Sequence, residues 1–312
     1  MSSERKHHLD GTALLTVLAC CIVWGLAQAA AKLTLAEVPP LLQSGLRSAG
    51  AALLLLLWVR CRGLTVFTAD GTGRAGVLAG VMFAVEFGCI FVGLQFTTAS
   101  RMSVFLYLAP FIVALGMPLI ARGERHEQHE RLAPLQIGGL VMAFGGVVWA
   151  FAEGFANPAV GPLQWVGDAL GLAGAVLWGA TTLLVRATRL ASALPEKTLL
   201  YQLVVSGLAL TAASALAGEI WPTGLSLKVA LLLGFQIAVV TFASYLAWFW
   251  LVRHYPATRV SAFTLLTPLF GLLAGVLLLG DPLTLRLLVA LAAVCAGIAI
   301  VNLATRPAAP RA

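Results

Sequence analysis

Ten apolar runs dominate this chain of 312 residues, and each is long enough to cross a bilayer as an α-helix. A helix needs roughly 20 mostly apolar residues to span the hydrocarbon core. The runs cover residues 12–32, 39–59, 75–96, 100–121, 132–152, 165–185, 198–217, 228–252, 258–279 and 284–304. The connections between them are short and leave no room for a soluble domain. We therefore predict an all-α integral membrane protein with ten transmembrane helices.

The composition supports this class. Hydrophobic residues make up 60% of the chain and charged residues 11%, whereas soluble domains carry about 25% charged residues. A net charge of +7 would suggest nucleic-acid binding in a soluble domain, but here the basic residues lie mainly between apolar runs, so we expect no nucleic-acid partner. The five cysteines form no CxxC motif, and we expect no disulfide, metal or other cofactor.

The basic residues also predict an orientation. Of the 20 lysines and arginines, 15 fall on the side of the membrane that holds the N-terminus, 4 fall on the other side, and Arg47 lies within the membrane. Because cytoplasmic loops are enriched in basic residues, we predict that both termini are cytoplasmic and that loop 153–163 is outside. The first run resembles a signal peptide, but it exceeds the usual apolar length of about 7–15 residues and has a counterpart later in the chain. We predict a disordered tail at 305–312.

Two sequence phrases are written twice. LACCIVWGLAQAAAKL at 18–33 returns as LAGAVLWGATTLLVRA at 172–187, and ASRMSVFLYLAP at 99–110 returns as ATRVSAFTLLTP at 257–268. The offsets are 154 and 158 residues. Chance similarity between Ala/Leu-rich helices is the alternative, but two independent matches in fixed register favour duplication. The chain is thus predicted to contain two repeats, 12–152 and 165–304.

Each predicted repeat holds five helices, and an odd number inverts the second repeat relative to the first. Inverted repeats are typical of secondary transporters, because two similar halves in opposite orientation can exchange conformations and open a central site to either side. We expect a central cavity between the halves.

The motifs also resemble a known family. The chain is similar to the drug/metabolite transporter superfamily, and within it to the EamA family, in its paired Trp-Gly, its ASR/ATR…P phrase and LLLGDPLT at 277–284. The segment EFGCIFVGLQFTTASRMSVFLYLAP resembles the YddG-like amino-acid exporters. This resemblance implies a secondary transporter that exports amino acids, aromatic and other, or similar small metabolites across the bacterial cytoplasmic (inner) membrane. A drug or nucleotide-sugar carrier is the alternative. The loop GERHEQHER departs from the LGDP pattern of the second half.

Two ionisable side chains are predicted to lie deep in the membrane. Arg47 and Glu86 lie about 12 and 15 Å from the outer ends of their helices at 1.5 Å per residue. Such groups are costly in a bilayer and are candidates for function. They could form a structural pair that joins two helices, or Glu86 could bind substrate or a proton, which leaves protons as a possible coupling partner.

Aromatic residues at helical spacing suggest where a substrate would bind. An apolar cavity with a few polar groups suits amphiphilic organic solutes, although such stripes also face lipid or core. The predicted substrate-binding residues are Trp24, Gln28, Phe83, Glu86, Phe87, Ser103, Tyr107, Trp178, Tyr245 and Trp248. Pro110 and Pro268, about ten residues into their runs, are predicted hinges, with a static kink as the alternative.

An intramembrane enzyme is the rival class, and the motifs disfavour it. HEQHE at 126–130 lacks the HExxH spacing of zinc proteases and lies in a charged loop, and no GxSxG nucleophile elbow occurs. We expect a transporter of small molecules, with the lipid bilayer as its surroundings, and no enzymatic activity.

Overall fold

The described part of the chain is a bundle of α-helices. The computed structural model describes residues 10–121, 134–158, 160–255, 260, 263–264 and 266–304. The helices are α1 Gly11–Thr34, α2 Pro40–Cys61, α3 Gly73–Phe96, α4 Ala99–Leu106, α5 Ala109–Ala121, α6 Pro134–Ala156, α7 Gln164–Ala187, α8 Pro195–Leu216, α9 Leu227–Gly234, α10 Ser244–His254, α11 Leu266–Leu279 and α12 Leu285–Ala304. A π-helical segment, Phe235–Ala243, joins α9 to α10.

These elements confirm the predicted ten-helix membrane fold. Among the described residues, eight helical spans are long and apolar enough to cross a membrane, and α11 and α12 are shorter apolar helices. The predicted tail, the HEQHE loop and Arg259 lie outside the described residues.

Contacts at both ends of α2 and α8 show that the two halves are inverted. At one end, the carboxylate of Glu219, just after α8, accepts hydrogen bonds from the backbone N–H groups of Leu41 and Leu42 at the start of α2, at 3.0 and 2.9 Å. At the other end, Lys197 Nζ at the start of α8 lies 2.8 Å from Asp70 Oδ2, beyond the end of α2. This ammonium group lowers the pKa of Asp70 below its usual range. The second helix of each half therefore runs antiparallel to its counterpart.

The repeated Trp-Gly motif has a packing role. A Cβ atom added at Gly25 would lie 2.5 Å from Phe270 Cβ, and one added at Gly179 would lie 2.6 Å from Ile112 Cβ. Ile112 and Phe270 are themselves 158 residues apart. Each glycine thus lets the first helix of one half pack directly on the fourth helix of the other half, as small residues do between membrane helices. This equivalence supports the duplication independently of the sequence match.

The fourth apolar run departs from the expected single helix. It forms α4 and α5, which are separated by a turn at Tyr107 and Leu108. Pro110 is the second residue of α5, and its missing N–H could not bond the carbonyl of Leu106, where α4 ends. Pro268 likewise lies in the first turn of α11. Both prolines therefore lie in the first turn of a helical segment, where proline is well tolerated.

Candidate functional site

A buried ionic cluster closes one end of the bundle, where α3 and α6 end and α4, α7 and α12 begin. We call this the Arg101 end. Arg101 is 3% exposed, and its Nε and Nη2 atoms lie 3.1 and 2.6 Å from Asp168 Oδ2 on α7. Its Nη1 atom lies 3.0 Å from Glu153 on α6, which also accepts a hydrogen bond from Thr284. Arg101 thus joins elements of both halves.

This buried cluster was not predicted from the sequence, where only Arg47 and Glu86 stand out as ionisable groups deep in the membrane. Arg101 and Lys32 are two of the four basic residues predicted on the outer side, and both are engaged in hydrogen bonds at helix ends. Lys32 Nζ donates to the carbonyls of Leu94 and Thr97 at the end of α3, both at 2.6 Å, where a cation also interacts favourably with the helix dipole. The sequence feature that could have indicated this cluster is Asp168, an acidic residue within the sixth apolar run.

The opposite end carries a related contact, and we call it the Tyr255 end. The hydroxyl of Tyr255, just after α10, donates to Asp10 at the start of α1, at 2.9 and 2.8 Å from the two carboxylate oxygens. At the Arg101 end, the hydroxyl of Thr97, just after α3, donates to Asp168 on α7. Residues 97 and 255, and residues 10 and 168, are each 158 apart. A hydroxyl after the third helix of each half therefore meets an aspartate near the start of the first helix of the other half.

Most of the predicted aromatic residues contact one another between the ends, in three groups rather than one ring. The rings of Trp24 and Trp248 meet edge to face at 5.4 Å, and the Trp24 indole N–H donates to Ser244 Oγ at 2.7 Å. Tyr107 and Trp178 meet at 5.9 Å.

The third group consists of aromatic residues on α3 and one residue of α10 that packs against the same cluster. Phe83 and Phe87 lie 4.5 Å apart, and Tyr245 packs against the same hydrophobic cluster. Gln28 is half-buried, one turn after Trp24 on α1. Ser103 donates to the carbonyl of Ala99, one turn earlier in α4, and faces Gly271 of α11. Its hydroxyl is therefore engaged at a helix contact.

Arg47 and Glu86 are both buried, at 5% and 4% exposure. The Arg47 guanidinium carbon lies 3.8 Å from the centre of the Phe87 ring and 5.2 Å from that of Phe91. Within the described part of the chain, Arg47 and Glu86 form no ion pair within 4.0 Å. The two charges act on each other without a direct ion pair, and the Arg47 guanidinium group contacts the two aromatic rings.

Comparison with known proteins gives this architecture a family. The model of the EamA-like transporter family matches residues 11–152 and again residues 165–303. Similar proteins include an uncharacterized transporter of Bacillus subtilis, YvbV, which is 28% identical over 93% of this chain and 91% of its own length. The Pseudomonas aeruginosa protein PA1977 is 31% identical over 93% of this chain and 94% of its own length.

Similarity extends to the archaea and to a solved structure. An uncharacterized transporter of Archaeoglobus fulgidus is 28% identical over 89% of this chain and 94% of its own length. A crystal structure with a TM-score of 0.63 and 19% identity covers 95% of this chain and 98% of that chain. At this identity the solved structure supports the fold alone.

Proposed function

The chain belongs to the EamA-like transporter family, and on that premise we propose that it exports amino acids, aromatic and other, or similar small metabolites by alternating access. Membership makes it a multi-pass membrane protein that transports small molecules. The choice of substrate, the direction of transport and the absence of enzymatic activity belong to the proposal.

The observation that carries alternating access is the pair of equivalent contacts at the two ends. Thr97 with Asp168 and Tyr255 with Asp10 occupy corresponding positions in inverted halves. Because the halves are alike and opposite, breaking one contact while keeping the other gives two states that open to opposite sides. Pro110, after the turn between α4 and α5, and Pro268, in the first turn of α11, are the proposed bending points.

The predicted binding residues support an amphiphilic substrate. Trp24, Phe83, Phe87, Trp178 and Trp248 provide apolar surface, and a few polar groups accompany them, as small-molecule sites require. A carrier of multiply charged anions, such as nucleotide sugars, would need several cations free to bind phosphate. Among the described residues, Arg101 and Lys32 are already engaged in hydrogen bonds at the Arg101 end, which disfavours that alternative.

We propose a bacterial cytoplasmic (inner) membrane as the location, with both termini in the cytoplasm. The distribution of 15 basic residues on one side and 4 on the other supports this orientation. The Arg101 end then faces outward and the Tyr255 end faces the cytoplasm.

Counterflow in proteoliposomes tests the proposed function. Vesicles loaded with one unlabelled amino acid should accumulate the same labelled amino acid transiently, well above protein-free vesicles, for at least one member of a panel of the 20 common amino acids. Repeating the assay with an imposed pH gradient tests proton coupling. Folded, correctly reconstituted protein that exchanges no amino acid in the panel would contradict the proposal.

A further inference from the structure

Arg47 and Glu86 differ from the other buried charges in how their polar atoms are satisfied. Among the residues that the structure describes, the Nε and Nη2 atoms of Arg47 and the Oε2 atom of Glu86 are buried without a hydrogen-bond partner. Arg101, equally buried, uses the same two nitrogens to bind Asp168. Leaving buried donors and acceptors unpaired is costly, so the open atoms of Arg47 and Glu86 indicate partners supplied from outside the chain.

The position of the Arg47 guanidinium group over Phe87 limits which chemical group it can bind. The Phe87 ring lies 3.8 Å from the Arg47 guanidinium carbon. A cation–π contact engages the face of the guanidinium plane and leaves its N–H edges available. The open atoms, Nε and Nη2, form one edge of that plane and match the two oxygens of a carboxylate.

The α2 and α3 helices, which carry the two charges, and the π-helical segment packed against α2 also hold buried polar and apolar side chains. Ser44 and Ser48 on α2 and Thr241 in the π-helical segment are also buried, and their hydroxyl oxygens have no hydrogen-bond partner within the described ranges. The α2 helix packs against that segment. π-Helical segments occur frequently at functional sites. Phe83 and Phe87 on α3 are among the buried apolar side chains.

The charges are present in only one half. The position 158 residues after Glu86 is Ser244, whose hydroxyl binds Trp24. The equivalent region of the second half is therefore neutral at this position. A substrate bound between the halves would meet its charged partners on the first half alone, which fixes one orientation for an unsymmetrical solute.

We propose that Arg47 binds the carboxylate of a zwitterionic amino acid through its Nε–Nη2 edge, while Glu86 binds the ammonium group. The proposal rests on the transport function proposed above and assigns the substrate's two charged ends to two residues. A solute that lacks either charged group leaves one buried charge without its partner and binds more weakly.

The test compares L-phenylalanine with two analogues in competition binding to the reconstituted protein. L-Phenylalaninamide keeps the ammonium group and lacks the carboxylate, and 3-phenylpropanoate keeps the carboxylate and lacks the ammonium group. Wild-type protein should prefer L-phenylalanine over each analogue by about 10- to 100-fold, the range for a hydrogen bond to a charged group. Arg47→Met should abolish the preference over the amide, and Glu86→Gln should abolish the preference over 3-phenylpropanoate.

The controls separate recognition from folding. Arg60→Met removes an exposed arginine from the same helix and should keep both preferences. If Arg47→Met does not fold, Arg47→Lys serves instead, because it keeps the charge, loses the planar fork and should reduce the preference over the amide about tenfold. Folded Arg47 variants with lower melting temperature but wild-type preferences would show a purely structural arginine and overturn the assignment. Wild-type protein that neither binds nor exchanges any amino acid would instead overturn the proposed function, and this assignment with it.

Discussion

Replacing Arg101 by methionine is expected to lower the free energy of unfolding by about 3–5 kcal/mol, the cost of removing one partner from a buried ionic group. Asp168 is fully buried and Glu153 is nearly so, and both accept hydrogen bonds from this one guanidinium group. Without Arg101, two carboxylates would remain close together in a buried site. Reversible unfolding of purified protein in detergent micelles, followed by circular dichroism, measures the difference.

Two variants make this measurement specific. Arg101→Met combined with Asp168→Asn should regain part of the lost stability, because the second change removes the unpaired buried charge. Arg286→Met is the matched control, since Arg286 is half-buried and stacks on Trp149 at 5.9 Å, and it should cost less than about 1 kcal/mol. An Arg101→Met protein within 1 kcal/mol of wild type would mean that the cluster does not hold the Arg101 end together.

The second large effect is expected at the paired glycines. Gly25→Val and Gly179→Val should each lower the free energy of unfolding by about 1–3 kcal/mol, the usual cost of adding side-chain volume to a packed contact. A Cβ at Gly25 would also lie 2.8 Å from the backbone nitrogen of Gly271, so the helices themselves would have to separate. Transport should fall in both variants, because the affected contacts join the two halves.

Glycine-to-alanine changes provide a control, because alanine should affect stability in opposite directions at exposed and at packed glycines. A Cβ at Gly145 on α6 would meet no atom of the described residues within 4 Å, so Gly145→Ala should leave stability unchanged or raise it by up to about 1 kcal/mol through better helix propensity. Gly25→Ala and Gly179→Ala should lower stability in the same unfolding assay. Equal effects at all three glycines would remove the proposed packing role of the Trp-Gly motif.

Much of the fold could be predicted from patterns in the amino-acid sequence. Apolar runs of bilayer length predict the helices, and phrases repeated across an odd number of helices predict inversion, which the antiparallel α2 and α8 confirm. A disturbance of the helix near Pro110 could be predicted from the sequence, but the two separate helices α4 and α5 could not. A proline in an apolar run allows either a kink or a new helical start, and the choice depends on the contacts of α4 with its neighbours.

The pairing of buried charges could not be read from the sequence. Arg101 and Asp168 are 67 residues apart, and no sequence pattern links them. Arg47 and Glu86 had matching depths, yet depth leaves the rotation of each helix about its axis undetermined. That rotation places the Arg47 guanidinium group over the Phe87 ring and, among the described residues, leaves it without a direct ion pair to Glu86. The aromatic residues were recognised by periodicity, but their division into three groups depends on interhelical packing.

Distances between spin labels at the two ends test alternating access between inverted halves most directly. One pair is Gln95 with Leu163 at the Arg101 end, and the other is Thr12 with His254 at the Tyr255 end; all four side chains are at least partly exposed. The labels are attached to cysteines introduced after the five native cysteines have been replaced, and the protein is reconstituted in lipid nanodiscs. With a transported amino acid added, the two distance distributions should shift in opposite directions, one end opening as the other closes. Shifts in the same direction would contradict alternating access between inverted halves. Unchanged distances at both ends, with a substrate that the protein demonstrably exchanges, would contradict it as well.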